Sequence, residues 1–438
     1  MVQTLAQQMG QNAAWITSIG GTPYINNSKG TSPSGYYNWG SEFTPEFPEL
    51  PGSDCAMTYG EGAAPGVGYN HYQFLASVVQ KLGINVMYQT PATGLIQNPE
   101  TNEILGVTAL TGGTVSSAGV VSGGSTVNVK ASKAVILTLG GFENNPQMLR
   151  DYLQLQNGGP SGTPGNTGDG IVMVKNVGAA LWHMDNMAGC ALGIRPIPNQ
   201  PGFVFEGLKS NYIFVGSDCG RFANELYATR HGKVPSNFYQ LSATPNAYTR
   251  WIPYPTPFPV YAIFDETVRK AGPVAATPVP GFPILWNSVH PPYAWSSDNS
   301  AEIASGWIQQ GATIEELAGA INLDPTMLSD SVSQWNAFCQ NGADTLFARP
   351  KATLDPIATS PFYGVPLAYL LLNTQGGAKR NTKAQIVDDN DNPIPRLYSA
   401  GEFGSIYSWA YNGGGNLGES IAWGTFAGQN AAAETAWS

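Results

Sequence analysis

Apolar residues recur at helical spacing from the start of the chain. Leu5, Met9, Ala13, Ile16 and Ile19 predict a helix over 4–19 that stops at Gly20 and Gly21. After a turn-rich stretch over 22–68, Tyr72, Leu75, Val78, Val79 and Leu82 form a second stripe, closed by Gly83. The run INVMY at 84–88 is short and apolar and reads as a buried strand. GLIQ, ILGVTAL and STVNVKA follow, divided by the turn NPETNE and a Gly/Ser-rich hairpin. They predict an antiparallel meander that returns into the apolar strand KAVILTLGG. A helix is expected to begin within 168–182. Over 196–345 the periodicity fades, Pro, Trp and Tyr become frequent, and one helix stands out at TIEELAGAI. Strand patterns resume over 365–400, where DDNDNP joins AQIV to IPRLYSAGE as a hairpin. The last helix runs from about Leu417 to Ala433.

Composition narrows the functional classes. The 438 residues allow two or three domains and a substantial core. The net charge of −10, with 20 basic residues scattered singly, excludes a nucleic-acid partner, which needs clustered Lys and Arg. No apolar run approaches the ~18 residues of a membrane span, and the first residues lack the pattern of a signal peptide. The expectation is a soluble protein, with the cytoplasm the favoured compartment. Cys55, Cys190, Cys219 and Cys339 lie far apart and read as free thiols. His71, His183, His231 and His290 show no metal spacing, and DDNDN (388–392) lacks the Gly and Glu of a calcium loop. Ser408 has no recognisable base partner, so a hydrolase triad is not supported.

The stretch YNGGGNLGES (411–420) carries more chemistry. A helix N-terminus offers unpaired N–H groups and partial positive charge, and glycines ahead of it admit a flat ligand to the backbone. Glu402, just after a strand in YSAGEFGS, is placed to accept hydrogen bonds from ligand hydroxyls. A phenol O–H at Tyr411 and the N–H of Gly415 converging on one carbonyl oxygen would form an oxyanion hole.

Four segments occur in order: AVILTLGGFENNPQML (134–149), GNTGDGIVMVKNVGAAL (165–181), NTQGGAKRNTKAQI (373–386) and RLYSAGEFGS with YNGGGNLGESIAWGTFAGQNAA (396–432). Together they resemble the fumarate reductase and 3-ketosteroid dehydrogenase superfamily of FAD flavoproteins. The resemblance implies an α/β (α+β) fold, in which a Rossmann-like FAD-binding domain with an antiparallel meander is interrupted by an inserted α+β cap. The flavin domain would comprise 1–195 and 373–438, and the cap 196–372. The superfamily's G-x-G-x-x-G turn is not found: GEGAAP (60–65) and GNTGDG (165–170) do not fit it. A missing N-terminal segment or a second chain would then complete the FAD site.

The resemblance implies flavin contacts from Ala92, Gly140, Gly141, Asp169, Glu402, Asn416 and Leu417. In the ketosteroid branch Tyr411 and Gly415 match the carbonyl-polarising pair, and Tyr407 or Tyr227 would move the substrate's α-proton. In the fumarate branch Arg269, within AIFDETVRKAG (262–272), matches the proton donor; as a structural element it would pair with Asp265. Glu225 and Arg230 match a proton relay, although a solvated helix pair is the favoured reading. The dicarboxylate clamp does not match, since Asn373 and Asn412 stand where that branch has His and Arg. The expectation is therefore an FAD-dependent oxidoreductase with a small-molecule substrate. It would oxidise or reduce a C=C bond conjugated to a carbonyl in an uncharged, steroid- or enone-like compound, with hydride transfer at flavin N5. The rivals are a fumarate-reductase-like enzyme for a small unsaturated acid and a truncated, flavin-free binding protein.

Overall fold

A computed structural model describes residues 1–26, 57–61, 67–115, 121–188, 191–197, 200–205, 209–228, 239–241, 251–253, 257–275, 293–407 and 415–437. The expected meander is present. Strands Ala92–Gln97, Ile104–Thr111 and Ser125–Lys130 pair antiparallel in that order. The apolar strand after it, Val135–Leu137, pairs in parallel with Pro393–Ser399, and this strand in turn forms the expected hairpin with Gln385–Val387. The hairpin turn closes because the Asp388 carboxylate accepts N–H bonds from Asn390 and Asn392 (2.9 and 2.8 Å).

The final helix spans Gly415–Ala433, two residues earlier than its apolar pattern begins. Its inner face, Ala422, Trp423, Ala427 and Ala431, packs with Leu5 and Tyr398. The N-terminal stripe forms two helices rather than one, Val2–Met9 and Asn12–Ser18, broken at Gly10. Both lie against the final helix. Asn12 donates to the Gly418 carbonyl at 2.9 Å, and a Cβ on Gly418 would stand 2.5 Å from Met9 Cε.

Residues 84–88 depart from expectation. They form no strand, and the segment is exposed, from Leu82 (68 %) to Tyr88 (77 %). An apolar run becomes a strand only where another strand supplies ladder partners, and none of the described strands pairs with it.

The region between is built on a seven-stranded sheet. Its path runs Phe203–Val204, Ala191–Ile194, Phe362–Leu371, Val260–Asp265, Tyr212–Val215, with Gln309–Gly311 and Gly158–Pro160 also on Phe362–Leu371. Strand alternation divides two cores. Ile213, Val215 and Ile263 face helices Ile314–Ala320 and Pro325–Asn341, while Phe214, Ala262 and Phe264 face the larger core. The second helix is not anticipated by the pattern reading, yet its signals are local. Asp324 caps it by accepting the Met327 N–H, Pro325 sits in its first turn, and Gly342 ends it at φ 67°.

Two buried charge networks fasten this sheet to its surroundings. Glu225 accepts Arg221 at 2.7 Å and Arg349 at 3.1 Å, and Arg221 reaches Asp344 at 3.0 Å. Arg349 also donates to the Tyr212 carbonyl and lies over Trp335. Glu225 is thus a fully buried structural hub, not a solvated helix pair; Arg230 lies outside the described residues. In the second network, Asp265 caps helix Glu266–Ala271 and accepts the Ala358 and Thr359 N–H groups. Its oxygens are therefore occupied, and Arg269 pairs with Glu266 instead, through two 2.6 Å bonds, while donating to the Asp298 carbonyl. Arg269 holds the Glu266 carboxyl down at about 2, with burial opposing.

Glu225→Leu leaves buried Arg349 without a carboxylate partner and Arg221 with Asp344 alone, and is expected to cost about 3–5 kcal/mol, measured by urea unfolding; a change below ~1 kcal/mol would contradict the hub. Because the folded-state pKa of Glu266 is depressed, its stabilisation is complete above pH 4.5 and lost as pH falls toward about 2. Arg269→Leu should therefore destabilise at neutral pH and converge on the wild type at the acid end of the same titration.

Candidate active site

Because Val135–Leu137 and Pro393–Ser399 run parallel, in register Val135↔Leu397 and Leu137↔Ser399, their C-terminal ends emerge side by side. One leads to Gly140–Glu143 and the other to Glu402. In parallel sheets this edge is where ligands bind. Strand Asn373–Thr374 closes a third side, held by antiparallel pairing with Met187–Ala188. The Thr374 N–H meets Glu143 Oε1 at 2.5 Å and Glu402 Oε1 at 3.1 Å, while Thr374 Oγ1 accepts the Phe142 N–H at 3.1 Å. Asn166, from the loop before helix Asp169–Lys175, donates to Glu402 Oε2 at 3.3 Å.

The two glycines are required by this crowding. A Cβ on Gly141 would stand 2.1 Å from Thr374 Oγ1 and 2.4 Å from Glu402 Oε1, and one on Gly140, at φ 67°, 2.2 Å from Asn166 Oδ1. Burial and the neighbouring Glu143 charge push the Glu402 carboxyl well above the usual carboxylate range.

The turn after Glu402 is clamped from beneath. Arg380, fully buried, donates to the carbonyls of Gly401 and Gly404, and lies 3.6 Å from Glu419 and 5.7 Å from the Trp423 ring centre. Glu419 accepts Ser405 Oγ at 2.6 Å and the Ile406 N–H at 2.9 Å. Burial prevails over pairing in both titrations: Arg380 is drawn down to about 10 and Glu419 is pushed up. Trp182 Nε1 also donates to the Gly404 carbonyl, and His183 Nδ1 to that of Ser405.

Asn416, at the start of the final helix, donates to Asn373 Oδ1 at 2.8 Å, which ties the helix N-terminus to the Thr374 strand. Gly140, Gly141, Glu402 and Asn416 thus gather around Asn373–Thr374, and Leu417 follows on the helix. Asp169 opens helix Asp169–Lys175 on an exposed position, one turn from Asn166. Ala92 pairs with Ala109 in the meander and makes none of the bonds of this cluster. The Tyr407 ring packs where a Gly415 Cβ would be, 2.9 Å away, and its hydroxyl lies 3.7 Å from Met9 Sδ. Burial, then the Glu419 charge, push its phenol up. Arg269 is committed to Glu266 in the second charge network. Tyr411 and Asn412 lie outside the described residues, as does the side chain of Tyr227.

The sequence reading omits Glu143, Thr374, Asn166, Arg380 and Glu419 as site residues. All five stand inside the motifs it quotes, but nothing local marks Arg380 and Glu419 as a pair, since only the fold brings them under the turn. The buried atoms here without hydrogen-bond partners include Glu143 Oε2 and both ends of the Gln375 amide, and, beneath the turn, Arg380 Nε and Nη1. With the glycine cradle and a helix whose first turn carries no acid, Glu143 and Gln375 fit a flat, uncharged heterocycle bearing hydroxyl groups, which is the flavin end of a dinucleotide.

The chain is 28 % identical over 345 residues to digoxin reductase of Eggerthella lenta, which covers 70 % of this chain and 54 % of that one. It is 27 % identical over 329 residues to a 3-oxosteroid 1-dehydrogenase of Mycobacterium tuberculosis, covering 68 % and 52 %. The chain spans about half the length of these curated relatives. Among solved structures, a 3-ketosteroid delta1-dehydrogenase from Sterolibacterium denitrificans, in complex with 1,4-androstadiene-3,17-dione, superposes with a TM-score of 0.60 at 27 % identity over 82 % of this chain and 62 % of that one. A flavocytochrome c3 fumarate reductase in its open conformation shares the fold, with a TM-score of 0.61 at 21 % identity over 99 % and 64 %. The model of the FAD binding domain family matches residues 59–417, from within strand Met57–Glu61 to the start of the last helix, and the chain belongs to that family.

Proposed function

We propose that this chain forms the greater part of an FAD-dependent oxidoreductase that oxidises or reduces a C=C bond conjugated to a carbonyl in an uncharged, largely apolar compound of steroid or enone type. FAD is the cofactor of the family, and when bound it supplies the two-electron acceptor or donor. Gly140, Gly141, Glu402, Asn416 and Leu417 would hold its flavin half, with Asp169 and Ala92 farther along it. The observation that carries the substrate class is the Asn373–Asn416 bond. It puts neutral amides at the edge facing the helix N-terminus, and the buried Arg380 beneath the turn is directed to the carbonyls of Gly401 and Gly404. A dicarboxylate would lose its hydration there without a charged partner in return, whereas a ketone needs only donors.

Gly415, at the first turn of a 19-residue helix, supplies such a donor. Its N–H, with the Tyr411 hydroxyl, would polarise the substrate carbonyl and stabilise the enolate that develops on it. The Tyr407 ring supports Gly415 from behind and fixes where that N–H points. The cap, residues 196–372, would cover the substrate and exclude water. The names of the relatives, which include a digoxin reductase and 3-oxosteroid dehydrogenases, support the same class.

A further segment or a second chain would complete the adenosine side of the cofactor site. Strand Val135–Leu137 is paired on one side alone among the described residues, and Ile136 is 39 % exposed. The apolar run 82–88 is exposed as well, so the fold offers a strand edge and apolar surface for that addition.

The chain purified from its natural source should show the visible absorbance of oxidised flavin. That absorbance should bleach with a reductant and recover, or stay bleached, according to whether a 3-keto steroid carrying a C=C bond conjugated to its carbonyl, or fumarate, is added. Recovery with fumarate alone sinks the substrate class, and a colourless, homogeneous chain sinks the flavoenzyme. Gly141→Ala, whose added methyl overlaps Thr374 and Glu402, should purify without flavin while keeping the far-ultraviolet circular dichroism of the wild type. Retained flavin would show that the ligand does not use this cradle.

A further inference from the structure

Gly141 separates two acidic loops that the fold brings onto a single donor. Glu143 and Glu402 both direct an oxygen at the Thr374 N–H, at 2.5 and 3.1 Å. One N–H cannot neutralise two carboxylates, and like charges this close in a dry site do not both ionise. Glu143 is 1 % exposed, and its second oxygen has no partner.

Among the described residues, the surroundings supply no counter-charge. Asn166 and Thr374, which touch the pair, are neutral. Arg195, across the Asn144 loop, donates to Asn144 Oδ1 and to the carbonyls of Gly158 and Gln200. Arg380, beneath the turn, is held by Gly401, Gly404 and Glu419. Helix Asp169–Lys175 begins with an acid, and the final helix presents Asn416 at its start. His183, on the far side of the turn, is bound to the Ser405 carbonyl.

We propose that Glu143 and Glu402 act as one carboxyl pair carrying a single proton between them, and that this pair, acid and carboxylate together, binds the hydroxyl groups of the FAD ribityl chain. The inference rests on the flavin reading above and adds Glu143 and the proton to it. A hydroxyl group is donor and acceptor at once. The protonated member donates to its oxygen, the ionised member accepts its hydrogen, and neither carboxyl alone can do both. Burial and the Glu143 charge, which push the Glu402 carboxyl up, keep that proton in place at neutral pH. The singly protonated pair is the binding form, so affinity is retained at neutral pH and lost as pH rises through the pair's upper titration, about tenfold per pH unit beyond it.

The test is the FAD dissociation constant of the full chain, followed by flavin fluorescence from neutral to alkaline pH, for the wild type and for Glu143→Gln. The amide is a donor that cannot be titrated away, so the variant should bind with a flat profile where the wild type weakens. Infrared difference spectra without FAD give a second readout. A carboxylic-acid carbonyl band present at neutral pH should vanish in Glu402→Gln, and in Glu143→Gln, where burial still raises Glu402 but the neighbouring charge is gone, it should titrate away at lower pH than in the wild type. Matching pH profiles in the two proteins, or an acid band untouched by either substitution, overturns the shared proton and leaves the flavin reading standing. Failure of FAD to bind at every pH, with the acid band behaving as described, overturns the flavin reading and the ligand assignment with it.

Discussion

The parallel pairing of Val135–Leu137 with Pro393–Ser399 is the contact on which the rest of the site depends. Three residue pairs join segments that are separated in sequence by everything from 138 to 392. Had the second strand run antiparallel, Glu402 would emerge at the opposite edge from Gly140 and Gly141, and no cradle would form. The pairing is buried by Leu137, Leu397 and Tyr398, so the hydrophobic effect fixes its register. The chemistry at the strand ends inherits that register.

A site assembled from loops needs those loops to be stiff. Here stiffness comes from polar groups buried under the turn. Arg380 and Glu419 bind four backbone or hydroxyl groups of 401–406 between them. Desolvation works against both members, as their opposing pKa displacements record. Such a pair adds little net stability, but losing one member leaves the other stranded, which restricts the turn to one arrangement. Asn373 does the same for the helix start through Asn416, and Tyr407 for Gly415.

Much of this was legible in the sequence where the signal is local. The meander, the Asp388 hairpin and the final helix follow from period-2 alternation, turn residues and small-residue periodicity. The four motifs located Gly140, Gly141, Glu402 and Asn416. Two kinds of feature escaped. Residues 84–88 have strand composition, but a strand is a pairing and not a composition. Helix Pro325–Asn341 was hidden by its mixed polar face, although Asp324, Pro325 and Gly342 mark both ends. Long-range polar contacts escaped entirely. Arg349 to Glu225 spans 124 residues and Thr374 to Glu143 spans 231, and nothing in either neighbourhood announces its partner. Arg269 shows the converse: a local acid pairing was expected, but Asp265 was already occupied as a cap, so Arg269 took Glu266, one residue nearer.

The central claim is that the ends of these two parallel strands, the Thr374 strand and the start of the last helix form one flavin-binding edge. Hydrogen exchange of the full chain with and without FAD tests it most directly. The account predicts that protection on adding FAD concentrates at 140–143, 373–375, 401–407 and 415–417, and leaves the Glu225–Arg349 region unchanged. Protection confined to other segments, or none at all with FAD bound, would contradict it.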